Sequence, residues 1–181
     1  MALVYSIENL KDTLDIQDDE VYVTPGQYEF VYLKGTLTTS LSKPLYTLFN
    51  FETGEFYDGS RFSFSMLPTW NISKHFEFGG SYYYDYVRFK SRNQVMSNHI
   101  IGIKALYMLD IRFSLNAYLQ YNTSSEKIIS NFRLRYNPKE GNDFYLVFNE
   151  GRNMNVEEYQ PSMPVYNVRN ILLKYTYTFN L

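Results

Sequence analysis

The chain ends with the stretch Arg169–Leu181, R-N-I-L-L-K-Y-T-Y-T-F-N-L. From Ile171 onward every second residue is large and apolar, and the residues between them are mostly polar, with Leu172 as the exception. A period of two over this length predicts a β-strand with one apolar and one polar face. Tyrosine, phenylalanine and threonine, which are common in strands, favour the same structure.

The same alternation recurs along the chain and predicts an all-β protein. Phe76–Phe89 is the clearest internal strand, and further strands are predicted at residues 28–39, 45–51, 61–67, 100–109, 113–122, 128–137 and 144–149. With the end of a strand at residues 2–7, this gives about nine or ten antiparallel strands and no convincing helix. Residues 8–27 read as an acidic loop with a short edge strand at Val21–Val23. The sequence therefore divides into residues 1–27 and a strand-rich part, residues 28–181.

Two patterns indicate more than a generic β-protein. The predicted connections tend to alternate between short turns and longer loops, such as the Gly-rich E-T-G-E-F-Y-D-G-S and the polar K-S-R-N-Q-V-M-S-N, as in an up-and-down barrel. The mid-strand charges all share the polar phase, and a Lys or Arg facing lipid at mid-membrane costs roughly 2–4 kcal/mol. Periodicity alone fits a soluble sandwich equally well. The terminal strand and the alternating connections favour an up-and-down transmembrane β-barrel, complete or part of a larger one.

Composition narrows the function classes. The 19 Tyr, 14 Phe and 1 Trp would suit the aromatic girdles of a membrane barrel, although a tyrosine-rich soluble sandwich is also open. A formal net charge of −2 predicts no nucleic-acid partner. The absence of cysteine rules out disulfides and thiolate metal sites. The best apolar run, Ile100–Leu109, contains Lys104 and is shorter than the roughly 18 residues of a membrane helix.

The closing strand, with aromatic residues at alternate positions, resembles the last strand of bacterial outer-membrane β-barrels. The segment N-F-R-L-R-Y-N-P-K-E-G-N-D-F-Y-L-V-F-N-E-G-R-N at 131–153 resembles the C-terminal barrel of a family of large bacterial proteins. In that family a carbohydrate-binding family 9-like domain precedes an outer-membrane barrel of uncharacterised function. The resemblance extends to T-P-G-Q-Y-E-F, G-E-F-Y-D-G-S-R, W-N-I-S-K-H-F-E-F and A-Y-L-Q-Y-N-T-S-S, and so covers nearly the whole chain.

The resemblance implies a Gram-negative outer-membrane location, with the lipid bilayer as partner and no catalytic residues to carry over. Family barrels are longer than this chain and carry an amino-terminal domain that it lacks. The first residues, M-A-L-V-Y-S-I, show no export signal. We therefore expect a mature or recombinant form or, preferably, the C-terminal part of a longer protein. Partners would then include the rest of that chain or other outer-membrane proteins.

The polar phase of the strands supplies the candidate site residues. Those expected to line a lumen are Glu77, Asp85, Lys104, Tyr118, Asn131, Arg133, Arg135 and Lys174. Three of them, Arg133, Arg135 and Lys174, form a basic cluster that would select anionic solutes, as charged rings do in pores. The favoured alternative is that these cations pair with Asp85 or Glu77 inside a plugged lumen.

Other motifs give weaker signals. The acidic loop residues Asp12, Asp15, Asp18, Asp19 and Glu20 lack the spacing of a calcium loop and are expected to be solvated. In N-E-G-R-N at 149–153, Gly151 is expected to make a turn, although the segment could instead place Glu150 and Arg152 at a barrel mouth. His75 and His99 are separated in sequence, and no serine motif accompanies either.

We expect no metal, cofactor or catalytic residue. Three functions stay open: a porin-like barrel for transport, anchoring or assembly, a barrel-embedded hydrolase acting on lipid or glycan, and a soluble β-sandwich binding module.

Overall fold

The computed structural model describes residues 1–17, 20–157 and 162–178, and most of these residues lie in strands. In chain order the strands are β1 (Ala2–Leu10), β2 (Leu14–Gln17), β3 (Val21–Val23), β4 (Gly26–Thr38), β5 (Leu45–Phe56), β6 (Gly59–Ser73), β7 (Phe76–Phe89), β8 (Gln94–Met108), β9 (Phe113–Asn122), β10 (Lys127–Lys139), β11 (Asn142–Asn153) and β12 (Tyr166–Tyr177). Ten of them form one antiparallel sheet in the order β1-β4-β5-β6-β7-β8-β9-β10-β11-β12. The prediction of an all-β, up-and-down antiparallel fold is confirmed.

Helical structure in the described ranges is limited to one 3₁₀ turn, Lys90–Arg92, between β7 and β8. No helix among these residues is long and apolar enough to span a membrane.

Several strands are longer than predicted. Phe76–Phe89 and residues 113–122 match their predicted bounds, but the Gly-rich segment predicted as a loop continues β5 and β6 through a tight turn at Tyr57 and Asp58. Its glycines mark close approaches between strands. A Cβ on Gly54 (φ +146°) would lie 2.6 Å from the Tyr32 Cα, and one on Gly59 would lie 2.4 Å from the Arg88 carbonyl oxygen. These positions therefore need glycine inside a strand.

The connections lie at two ends of the sheet. At the first, called the hairpin end, are residues 11–25, 57–58, 90–93, 123–126 and 154–165; at the opposite end are residues 39–44, 74–75, 109–112 and 140–141. The predicted alternation of short and long connections is wrong for 57–58 and 90–93, because β5, β6 and β8 extend into both predicted loops. At the hairpin end the long connections are the first and the last, residues 11–25 and 154–165, and the three between them are short.

The connection between β1 and β4 holds the β2–β3 hairpin, which folds against the sheet. Val21 and Val23 of this hairpin pack against Val87, Phe89 and Met96, and all five side chains are buried. We call this cluster the hairpin corner. Val21–Val23 does form a short strand as predicted, but it is buried against β7 and β8. Hydrophobic residues at alternate positions of an otherwise polar loop are the physical reason.

The sheet has two faces and two free edges. Directly paired residues of antiparallel strands share a face, so the register assigns each residue to the inner face, on which the hairpin packs, or to the outer face. Among the described residues, β1 pairs only with β4 and β12 only with β11, so the sheet is not closed.

Candidate functional site

A cleft on the inner face of β1 and β4–β8 has a volume of about 610 Å³, a size that suits a small-molecule site. The residues that line it are Met1, Ala2, Lys34, Gly35, Thr36, Asn50, Phe51, Glu52, Arg61, Ser63, Phe64, Ser65, Tyr83, Tyr84, Asp85, Asn98 and Ile100. Ala2 of β1 and Ile100 of β8 both belong to this lining although four strands lie between theirs. The sheet is therefore strongly curled around the cleft.

An arginine ion pair forms the centre of the cleft. The Arg61 guanidinium donates two hydrogen bonds to Asp85, at 2.8 Å from Nε and 2.9 Å from Nη2, and lies 3.5 Å from the Glu52 carboxylate. The bidentate geometry fixes the position of all three groups. Lys34 also lines the cleft. The cleft therefore holds two acidic and two basic side chains, whose charges balance.

Neutral polar groups complete the cleft wall. The Asn50 amide Nδ2 donates to the Ser65 hydroxyl at 3.1 Å, and the Thr36 hydroxyl donates to Asn50 Oδ1 at 2.9 Å. Ser65 lies beneath the cleft and is nearly buried. Such a wall can exchange hydrogen bonds with water or with a polar solute.

The eight predicted site residues all lie on the inner face, as the strand register shows: Glu77, Asp85, Lys104, Tyr118, Asn131, Arg133, Arg135 and Lys174. Asp85 belongs to the cleft described above. Tyr118, Asn131, Asn149 and Asn170 follow one another in a single row across β9–β12, and the amide of Asn131 donates a hydrogen bond to Asn149.

The acidic partners of the predicted cations differ from those expected. Lys104 pairs with Glu77 at 3.4 Å, and Arg135 pairs with Asp143 at 2.8 Å. The expected pairing of the basic cluster with Asp85 or Glu77 is therefore wrong, because each of these carboxylates has a nearer cation on a directly neighbouring strand. Arg133 and Lys174 form no ion pair within residues 1–17, 20–157 and 162–178.

The sequence pattern did not identify Arg61 and Glu52, whose ion pairs link neighbouring strands of the cleft. Arg61 was assigned to a strand without a role, and Glu52 fell in the predicted Gly-rich loop. A usable signal was present, since Arg61 has the same phase as Ser63 and Ser65 and is separated from Phe62 and Phe64. Its partner carboxylates were not predictable because they depend on the register of β5 and β7.

The outer face has a different chemistry. Its charged residues in the described strands lie near the strand ends. Lys139, which is paired with Asn142, lies at the opposite end, and the others lie near the hairpin end: Glu29, Glu55, Arg88, Glu150, Arg152 and Arg169. Two of them, Glu150 and Arg169, form an ion pair at 2.6 Å. The remainder of the face is apolar or aromatic over all ten strands, apart from small hydroxyl side chains, His99, and three amides at the strand ends, Asn9, Gln27 and Asn142.

The two histidines occupy unrelated positions. His75 lies at the opposite end of the sheet, with Nδ1 2.8 Å from the Met108 carbonyl oxygen. His99 lies on the outer face, where its Nδ1 is 2.9 Å from the Tyr82 hydroxyl and its ring is 4.7 Å from that of Tyr84. In the described part of the chain neither imidazole is hydrogen-bonded to a serine hydroxyl, the pair that nucleophilic catalysis requires.

Two weaker sequence motifs can also be located. In the acidic loop Asp12, Asp15 and Glu20 are exposed, and the predicted members Asp18 and Asp19 lie outside the described residues. No group of three metal-ligating side chains occurs within residues 1–17, 20–157 and 162–178. The expected turn at Gly151 is wrong, because Gly151 lies within β11, next to an irregularity in the pairing with β12.

Comparison with solved structures shows a likeness to a porin. The chain is similar in structure to a protein described as "NanC porin structure in rhombohedral crystal form", with a TM-score of 0.44 and 12% sequence identity, over 99% of this chain and 92% of that one. No protein-family model and no curated protein matches the chain.

Proposed function

We propose that this chain forms the membrane-spanning strands of a bacterial outer-membrane β-barrel that lets small polar solutes pass. The observation that carries the proposal is the division of the sheet into an apolar outer face and a polar, ion-paired inner face. A membrane strand alternates in this way, with its apolar side chains towards lipid and its polar ones towards the lumen.

No other described part of the chain packs on the outer face of the sheet. The second sheet in the described structure, β2–β3, packs on the inner face, so nothing described covers the apolar side chains on the outside. Soluble monomers rarely expose apolar patches above a few hundred Å², whereas this apolar surface extends over ten strands. A soluble β-sandwich would instead bury it against a second sheet.

An aromatic row on the outer face fits a membrane interface. Phe113, Tyr136, Phe144 and Tyr175 are paired successively across β9–β12 near the opposite end of the sheet. Aromatic girdles of this kind lie at the level of the lipid headgroups. The outer charges near the hairpin end fit the other interface, because charges are tolerated there at little cost.

The inner face favours transport over anchoring or assembly. Its cleft combines hydroxyl, amide and balanced charged groups, which suits passage of hydrated polar solutes. In this proposal the eight predicted inner-face residues line the lumen. Arg133 and Lys174, which have no described acidic partner, give the β10–β12 wall a positive charge that would favour anionic over cationic solutes.

Vesicle flotation tests the membrane assignment. The refolded protein should float with phospholipid vesicles in a density gradient, resist extraction at alkaline pH and migrate faster on gels when unheated. A protein that stays monomeric and soluble without detergent or lipid would refute the assignment.

Vesicle swelling tests the transport role. Ser63→Trp fills the inner-face cleft and should reduce the rate of solute-driven swelling severalfold. Ser130→Trp places the same side chain on the outer face and should leave the rate unchanged. Equal swelling rates for both variants would show that solutes do not pass through this cleft.

Two finer assignments remain proposals. A barrel-embedded hydrolase is less well supported, because neither described imidazole contacts a serine hydroxyl. Membership of the barrel family that accompanies carbohydrate-binding family 9-like domains rests on the sequence resemblance. The length of the parent reading frame tests that assignment and identifies any partner domain.

A further inference from the structure

The two free edges of the sheet are suited to each other. Because the ten strands alternate in direction, β1 runs from the opposite end to the hairpin end and β12 runs back. They are therefore antiparallel. The curl of the sheet already brings Ala2 of β1 to the same cleft as Ile100 of β8. Unpaired backbone N–H and C=O groups cost several kcal/mol each in hydrocarbon, so a membrane form must cover both edges.

We propose that β12 pairs with β1 of the same chain in one register, with Tyr5 opposite Leu173. This register pairs Ala2–Leu10, the whole of β1, with residues 168–176 of β12. It stays within β12 and avoids the pairing irregularity at Tyr166. The occupant of each edge is thus the other edge, and the result is a closed barrel of ten strands, the even number expected of bacterial barrels.

The faces match in this register. On the outside the opposed pairs are Leu3 with Tyr175, Tyr5 with Leu173, and Ile7 with Ile171. On the inside they are Val4 with Lys174, Ser6 with Leu172, and Glu8 with Asn170. The face of each residue follows from its present pairing with β4 or β11. A shift of one residue would place the outward side chains of β1 opposite inward side chains of β12, for example Leu3 opposite Lys174 or Thr176.

The stagger of the sheet also fits closure. Paired residues run across the sheet from Leu3 through Leu33, Thr53, Phe62 and Tyr86 to Ser97. The row of paired residues ends at Ser97, because β9 does not extend far enough towards the hairpin end to pair with it. Continued around the barrel, the row returns to β1 displaced by about 12 residues at the proposed register. For ten strands this stagger gives a strand tilt of about 40°, within the range of natural barrels.

Closure also changes the candidate site. Tyr32 is paired with Val4, and Lys174 would lie on the other side of Val4. The basic wall of β10–β12 would then continue directly into the wall that holds the Arg61 ion pair. The inner face becomes a continuous lumen in which a solute meets both walls.

Cysteine pairs test the register, and the chain contains no native cysteine to interfere. The test rests on the proposed membrane insertion and uses full-length protein already shown by flotation to be inserted, so failure to insert is scored separately. Tyr5→Cys/Leu173→Cys places two outward thiols directly opposite. Tyr5→Cys/Tyr175→Cys and Tyr5→Cys/Ile171→Cys are matched controls displaced by two residues. Directly opposed Cβ atoms are within disulfide range, whereas diagonal neighbours about 7–8 Å apart are not.

The expected result is an intramolecular disulfide in the Tyr5/Leu173 variant, with a yield roughly tenfold higher than in either control. A displaced pair that oxidises best would overturn the register. Disulfide-linked dimers at low protein-to-lipid ratio would overturn closure within one chain in favour of a second copy. Inserted protein in which none of the pairs oxidises would overturn the pairing of β1 with β12.

Discussion

Val23 and Phe89 in the hairpin corner are fully buried, whereas Ile171 and Leu173 in β12 leave 70% and 68% of their surface exposed. Both regions carry large apolar side chains and belong to one structure. The corner is covered by protein, because β2–β3 folds back onto β7 and β8. The terminal strand pairs only with β11 among the described residues.

This difference shows that the sheet has two separate sources of stability. Full burial of a valine or phenylalanine side chain contributes about 1.5–3 kcal/mol, and the corner gains this in any solvent that leaves it folded. The apolar side chains of β12 are largely exposed in the isolated chain, so in the proposed membrane form their burial comes from lipid at the outer face. Variants in the two regions should therefore respond differently to the surrounding medium.

The largest effect is expected in the corner. Phe89→Ala should lower the free energy of unfolding by about 3–5 kcal/mol, because it removes a buried ring and leaves a cavity. Phe89→Leu nearly fills the site and should cost less than about 1.5 kcal/mol. Urea unfolding in detergent micelles and in vesicles should give the same loss for each variant. A loss present only in vesicles would contradict burial by the hairpin.

A pair of arginine substitutions separates the two faces of β12. Leu172 and Leu173 are neighbours, both exposed, at 57% and 68%, but on opposite faces. Leu173→Arg should destabilise the vesicle-inserted protein by roughly 2–4 kcal/mol, because it places a charge in lipid. Leu172→Arg faces the lumen and should fold nearly as well as the unaltered protein.

The measurement for this pair is the fraction of folded, fast-migrating protein after insertion into vesicles. Equal losses for Leu172→Arg and Leu173→Arg are expected for a soluble sheet edge, where both side chains meet water. That outcome would refute the lipid-facing assignment of β12.

A moderate effect is expected in the cleft. Arg61→Gln leaves Asp85 and Glu52 as close carboxylates without their shared cation and should cost about 1–2 kcal/mol, between the values for exposed and buried ion pairs. Lys104→Gln breaks the more exposed pair with Glu77 and should cost less than about 1 kcal/mol. Urea midpoints in vesicles provide the comparison, and a larger loss at Lys104 would show that Arg61 does not organise the cleft.

Local pattern was sufficient for most of the fold. Strict alternation in Phe76–Phe89 and residues 113–122 predicted both strands with their observed bounds. It also placed Arg133, Arg135 and Lys174 on the face opposite Phe132 and Leu173. A strand's two faces depend only on its own sequence, which is why these predictions hold.

Features that depend on distant strands were not predictable. The tight turn at Tyr57 and Asp58 looked like a glycine-rich loop, because the close contacts of Gly54 and Gly59 come from Tyr32 and Arg88 on neighbouring strands. The burial of Val21 and Val23 depends on partners more than sixty residues away in sequence. The end of the predicted closing strand, Phe179–Leu181, lies outside the described residues.

The smallest effect concerns Tyr57, which ties the β5–β6 turn to β1. Its hydroxyl donates a 2.6 Å hydrogen bond to the Glu8 carboxylate, and its ring packs against Tyr28, Phe30 and Phe56. Burial, followed by the hydrogen bond to Glu8, raises the pKa of Tyr57 from 10.0 to about 12. Tyr57→Phe keeps the ring and the left-handed φ of 52°, so it removes only the hydroxyl and should cost about 1 kcal/mol at neutral pH.

The pH dependence gives this small loss a distinct signature. Because the folded pKa lies above the ordinary value of 10.0, the neutral hydroxyl contributes its full stabilisation below pH 10 and loses it as the pH rises towards about 12. The difference in urea midpoint between the unaltered protein and Tyr57→Phe should therefore shrink over this interval. Tyr107→Phe removes the hydroxyl of an exposed tyrosine on the outer face and is the matched control. A constant difference from neutral pH to pH 12 would mean that the hydroxyl does not hold the turn against β1.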